Sequence, residues 1–141
     1  REINMDLHTL AKELPALFSA LLVAILFIQS GLDKVFDWKG NLEWLTGHFS
    51  TTFLSRFVWI MLAKITVAEL MTGFLAVAGI IYFFTAGSTL LIFYASIIGT
   101  ASITALFFGQ RVAKDYAGAA VLVPYFILLI AMMYLTNPFA K

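Results

Sequence analysis

The chain has 141 residues, 62% hydrophobic and only 12% charged, with a net charge of +1. Soluble domains carry about 25% charged residues, so a water-soluble fold is excluded, and a near-neutral balance without a basic cluster argues against nucleic acid as a partner. There is no cysteine, which removes disulfide relays, thiolate metal sites, Fe–S clusters and covalent haem attachment.

Residues 5–13 read as a short amphipathic lead-in, and an uncharged run follows from Leu14 to Leu32 with Pro15 expected in the first helical turn. No small-residue cleavage site follows this apolar core, so it is expected to be an anchor rather than a secretory signal. Residues 33–56 are the most polar stretch. Trp38, Trp44 and Trp59 lie in or beside it, at the level where aromatic side chains favour the headgroup region. Leu42, Trp44, Leu45 and Phe49 would line one face of a short interfacial helix, interrupted at Gly47.

From Leu70 through Gln110 no residue is charged. That is about twice the ~20 residues that one helical span of a bilayer requires, so the run must fold back, and Thr85, Ala86, Gly87 and Ser88 supply its only central polar break. The four expected spans are residues 14–37, 57–83, 88–110 and 116–135, in a single domain over 1–141. Solid apolar blocks with short later connections imply an all-α membrane protein, an up-down four-helix transmembrane bundle with one interfacial helix in the first hairpin, and not a β-barrel, whose strands alternate.

Lys34, Lys39, Arg56, Arg111 and Lys114 fall on the hairpin side, and Arg1, Lys12 and Lys141 on the terminal side. The positive-inside rule then places the hairpin in the cytoplasm and the termini outside. Small residues recur on two spans, as Ala68, Thr72 and Ala76, and as Ala101, Ala105, Gly109 and Ala113 with Ser96, Thr100 and Thr104 alongside. Such ridges let helix backbones approach within lipid, either inside the bundle or at a subunit interface.

Charges within spans are costly, at least ~2.5 kcal/mol at the bilayer centre, and so are informative. Asp33 and Lys34 close the first span; Lys64 and Glu69 lie in the second. At 1.5 Å per residue, Lys64 stands about 12 Å and Glu69 about 20 Å below Arg56. Counted from Trp38, Asp33 is about 8 Å deep and Gln29 about 14 Å. These depths suit an Asp33–Lys64 ion pair and an approach of Gln29 to Glu69. One reading is a structural clasp of Asp33, Lys34 and Lys64, with Glu69 protonated or hydrogen-bonded; the other is a ligand site built from Gln29, Lys64 and Glu69. Lys64 and Glu69 are five apart on one helix, too far around it for a direct pair. His8 and His48 fall on opposite faces, so they cannot share a metal within a protomer. No catalytic triad, nucleotide loop or zinc motif is present.

Ser30, Gly31, Leu32, Asp33 and Lys34, followed by Glu69, Leu70, Met71, Thr72 and Gly73, resemble the DoxX-like family of small four-span membrane proteins. The likeness extends over nearly the whole chain and includes the basic-acidic step from Arg111 to Asp115 before the last span. Gly31, Lys34, Glu69 and Gly73 are the positions that carry over; the chain departs in placing Lys64 inside the second span and in lacking a basic residue just before the first. Members are associated with terminal quinol oxidases, thiosulfate:quinone oxidoreductases and other membrane redox assemblies. The resemblance therefore implies an accessory subunit of a respiratory complex in a bacterial inner membrane, with integral membrane subunits and lipids as partners and no catalytic residues or intrinsic cofactor of its own. The alternatives are a quinone-binding component, with Gln29, Lys64 and Glu69 on the headgroup, and a small-molecule or lipid transporter.

Overall fold

The computed structural model describes residues 5–140; Arg1 and Lys141, two of the basic residues in the orientation argument, lie outside them. The described chain is helical, and four of its helices are long and apolar enough to cross a membrane. They are α1 (Leu7–Phe36), α3 (Val58–Ala86), α4 (Leu90–Val112) and α5 (Tyr116–Thr136). The short helix α2 (Trp38–His48) and a 3-10 turn (Phe53–Phe57) connect α1 to α3.

Three of the four aspartates are used to start helices. Asp6 accepts the Thr9 backbone N–H at 2.7 Å and caps α1. Hydrogen bonds from the Thr9 side chain and backbone hold this carboxyl below the ordinary aspartate range. Asp37 caps α2 through Gly40 N–H, and Asp115 caps α5 through Gly118 N–H at 2.8 Å. The cap at Asp6 merges the lead-in with the first span, so α1 begins at Leu7 and Pro15 sits inside the helix rather than in its first turn. Proline there removes one helical N–H, and the Ser19 hydroxyl donates to the Pro15 carbonyl at 2.7 Å on that exposed face.

α1 packs chiefly on α3, α3 on α4, and α4 on α5, while α5 closes back on α1. The core joins Ala20, Val23 and Phe27 of α1 with Ala76 and Phe83 of α3, Ile92 and Ala95 of α4, and Leu129 and Met132 of α5. The outside is as apolar as the inside. Leu21, Ile25, Phe74, Ile81, Val121, Ile127 and Ile130 all point outward, as expected when lipid is the solvent and each helix is hydrophobic all round. Ser88 follows the tight turn after α3, where Gly87 adopts φ 70° and its N–H returns to the Phe83 carbonyl at 2.8 Å. A left-handed residue at this position ends a helix with little steric cost only as glycine.

α2 lies across the hairpin end of the bundle. Trp38 meets Trp59 edge-on, with ring centroids 6.5 Å apart, and Phe49, Leu54 and Val58 form a small second core beneath it. The helix runs through Gly47 to His48 instead of breaking there, because nothing at Gly47 demands a turn: no atom would lie within 4 Å of an added Cβ. Gly47→Ala is accordingly expected to raise stability by about 0.5 kcal/mol, from reduced freedom of the unfolded chain. Thermal unfolding in detergent measures it, and a lower midpoint would mean that the site needs glycine.

Candidate functional site

Two polar arrangements and one groove stand out. The first joins α1 to α3. Glu69 is buried, 2% exposed, and Lys34 Nζ lies 2.9 Å from its Oε2. Ser30 Oγ donates to Glu69 Oε1 at 3.1 Å. The same ammonium donates to Ser30 Oγ at 2.9 Å and to the Ser30 carbonyl at 3.2 Å. Two of its three donors thus go to Ser30 oxygens. Oε2 has the cation opposite but no aligned hydrogen bond, so its interaction is Coulombic. Glycines permit this burial: a Cβ on Gly31 would meet Leu70, and one on Gly73 would meet Ile28.

Lys34 is therefore the counter-ion of Glu69, and Ser30, not the expected Gln29, is its hydrogen-bonding neighbour. Ser30 and Lys34 are one turn apart on the face of α1 that meets α3. Gln29 and Asp33 lie about 100° round from them and are exposed. The expected Asp33–Lys64 pair is not formed. Both residues are exposed, and neither has an ion-pair partner among the described residues. Of the expected clasp only Lys34 takes part; of the expected ligand residues, Gln29, Lys64 and Glu69 point to three different surroundings.

Lys64 belongs to the groove. A cavity of about 400 Å³ lies between α2, α3 and α4, lined by Trp44, Leu45, Phe49, Met61, Ile65, Ala105 and others, with Lys64 and Gln110 as its notable polar members. A shallower hollow of about 380 Å³ continues along Ala63, Val67 and Met71 and shares Lys64, Ala68 and Ile98 with it. The two small-residue ridges divide here. Thr72 and Ala76 are fully buried within the bundle, whereas Ala101 and Ala105 are exposed and form a wall of the groove rather than internal packing. The hydroxyls of Thr66, Thr72 and Ser102 are spent on carbonyls one turn back in their own helices.

The second polar arrangement holds the groove's roof. His48, at the end of α2, places Nε2 2.7 Å from Gln110 Oε1 and 4.0 Å from Asp115 Oδ2. Its ring stacks on Trp44 at 4.5 Å. Arg111 lies 4.4 Å over the Tyr116 ring beside it. Sequence reasoning set His48 aside as a possible metal ligand and so missed it as the residue that ties α2 to the α4–α5 connection. The available signal was Gln110, the amide that ends the long uncharged run, five residues before a capping aspartate.

This geometry defines a four-helix integral membrane bundle with an interfacial helix over a lateral groove. No family model, curated protein or solved structure matches the chain.

Proposed function

We propose that the protein is a non-catalytic membrane subunit that holds a bilayer-borne apolar or amphiphilic molecule in the groove between α2, α3 and α4. The observation that carries this reading is the cavity itself. Its volume, about 400 Å³, falls within the range of ligand sites, and an apolar lining with few polar groups is their usual composition. The likeness to the DoxX-like family at Gly31, Lys34, Glu69 and Gly73 supports a setting in a respiratory assembly of a bacterial inner membrane, with a quinone or a lipid as the bound molecule. Glu69, tied to Lys34 and Ser30 on the α1 side, serves the bundle rather than the ligand in this reading, and Lys64 is the one residue of the expected quinone set that lines the groove.

Purification in mild detergent tests the proposal. A lipid-soluble molecule is expected to co-purify at about one per protein and to be lost from Ala105→Trp, in which an indole occupies the cavity. Co-eluting oxidase or reductase subunits would support the respiratory setting. Equal, non-stoichiometric lipid content in both forms would defeat the binding reading.

A further inference from the structure

We infer that the groove's ligand is a single-chain amphiphile with a carboxylate headgroup, held by Lys64, an inference that rests on the groove being a binding site. Lys64 has no ion-pair partner among the described residues and lies at the junction of the two hollows, lining both. A cation on a membrane span costs several kcal/mol unless it is paired or reaches the interface. Its four-carbon stem lets the ammonium turn toward the α2 side, which places an anion beneath the roof formed by Trp44 and Phe49.

The extent of the groove argues for one acyl chain. From Met61 to Met71 it follows α3 for about 15 Å, half of the ~30 Å hydrocarbon thickness. That is the depth of one leaflet, whereas a partner's transmembrane helix would run the full thickness. Val67 and Met71 are exposed on the wall of the lower hollow, so the chain can enter sideways from lipid.

The donor set selects the headgroup. Among the described residues, Lys64 is the only charged one on the wall. Ser102 spends its hydroxyl on the Ile98 carbonyl, and the Gln110 carbonyl oxygen faces His48. The Gln110 amide nitrogen lies toward Gly118. A phosphate monoester presents more acceptor oxygens and more charge than one ammonium can satisfy, and the common phosphodiester lipids, singly charged, bring a second acyl chain. A carboxylate needs only one cation, and a charge-assisted bond supplies it.

The test uses Trp44 as the reporter. Purified full-length protein in detergent is titrated with a brominated octadecanoate and, separately, with its methyl ester. The signal read is the tryptophan quenching that disappears in Trp44→Phe. Saturable quenching by the acid is expected. It should weaken roughly tenfold or more in Lys64→Met, as loss of a charge-assisted bond implies, and be retained in Lys64→Arg. The ester should bind wild type no better than the acid binds Lys64→Met. Unfolding midpoints of each variant establish that it is folded, and Lys64→Arg carries the comparison if Lys64→Met is not. Equal binding of acid and ester, unchanged in Lys64→Met, would overturn the carboxylate assignment while leaving the groove as a binding site. Absence of saturable quenching by either probe, with wild type and Ala105→Trp alike in co-purified lipid, would remove the groove reading as well. Exclusion of both probes by a stoichiometric co-purifying membrane protein would assign the groove to a partner helix and overturn the inference.

Discussion

Lys34→Met is expected to destabilise the folded protein by about 3–5 kcal/mol, the usual cost of removing one partner from a buried ion pair. Glu69 is enclosed by α1 and α3, and without Lys34 only the Ser30 hydroxyl remains beside it. The carboxylate cannot turn to the interface, because it is 2% exposed. The reverse deletion should be milder. In Glu69→Gln the ammonium keeps both Ser30 oxygens, and Lys34, whose side chain is 17% exposed, has a route toward the headgroups. Glu69→Leu should fall below Glu69→Gln, since it also leaves the Ser30 hydroxyl without its acceptor. Adding Glu69→Gln to Lys34→Met should recover most of the loss, because the isolated charge is gone. Chemical or thermal unfolding of the four proteins in one detergent gives the cycle. Asp33→Asn and Lys64→Met, both at exposed positions, serve as comparisons and should stay within about 0.5 kcal/mol of wild type. A Lys34→Met protein as stable as these would show that the α1–α3 clasp contributes nothing to the fold.

The bundle was legible because length and charge are one-dimensional quantities. Two spans cannot be avoided between Leu70 and Gln110, and the turn must fall where Gly87 can take a left-handed conformation. The depth of each polar residue was legible for the same reason, since helical rise is constant. Angular position was not. Gln29 and Ser30 differ by only ~1.5 Å in depth but by about 100° in direction, and the direction that counts is set by where α3 lies. That is fixed by the close approach at Gly31 and Gly73, not by any property of Gln29 or Ser30. Depth likewise allows Asp33 an ion pair across the seam, whereas direction gives that place to its neighbour Lys34. The groove was hidden more deeply. Ala101 and Ala105 have the same spacing as Thr72 and Ala76 and are likewise small, and only the arrangement of the packed helices leaves one ridge open while the other is buried. His48 and Gln110, which place α2, are 62 residues apart and share no periodic signal.

Gly73→Val is expected to cost more than any other single glycine substitution on the α1–α3 seam, and Gly73→Ala already about 1–3 kcal/mol, as overpacking does. A Cβ on Gly73 would stand 2.5 Å from Ile28 Cγ1 and 2.8 Å from the Ile28 backbone nitrogen. The side-chain contact can be relieved by rotation, but the backbone contact requires the two helices to separate. Gly31→Ala is the informative contrast. There the added carbon meets the Leu70 side chain at 2.6 Å, while the nearest backbone atom is 3.3 Å away, so repacking of Leu70 relieves most of the overlap. The order Gly73→Val, Gly73→Ala, Gly31→Ala in decreasing cost therefore follows from which atom lies opposite. Separation at Gly73 also reaches the clasp, because Ile28 and Ser30 are neighbours on α1, and Gly73 is one turn beyond Glu69. A wider seam lengthens the Lys34–Glu69 contact and admits polar surroundings to the carboxylate. Lys34→Met should then cost clearly less in the Gly73→Ala background than in wild type, a coupling of the size seen for residues that share a contact network, about 0.5–3 kcal/mol. Additive effects would mean that the seam and the ion pair hold α1 to α3 independently, and that close packing at Gly73 is not what keeps Glu69 within reach of Lys34.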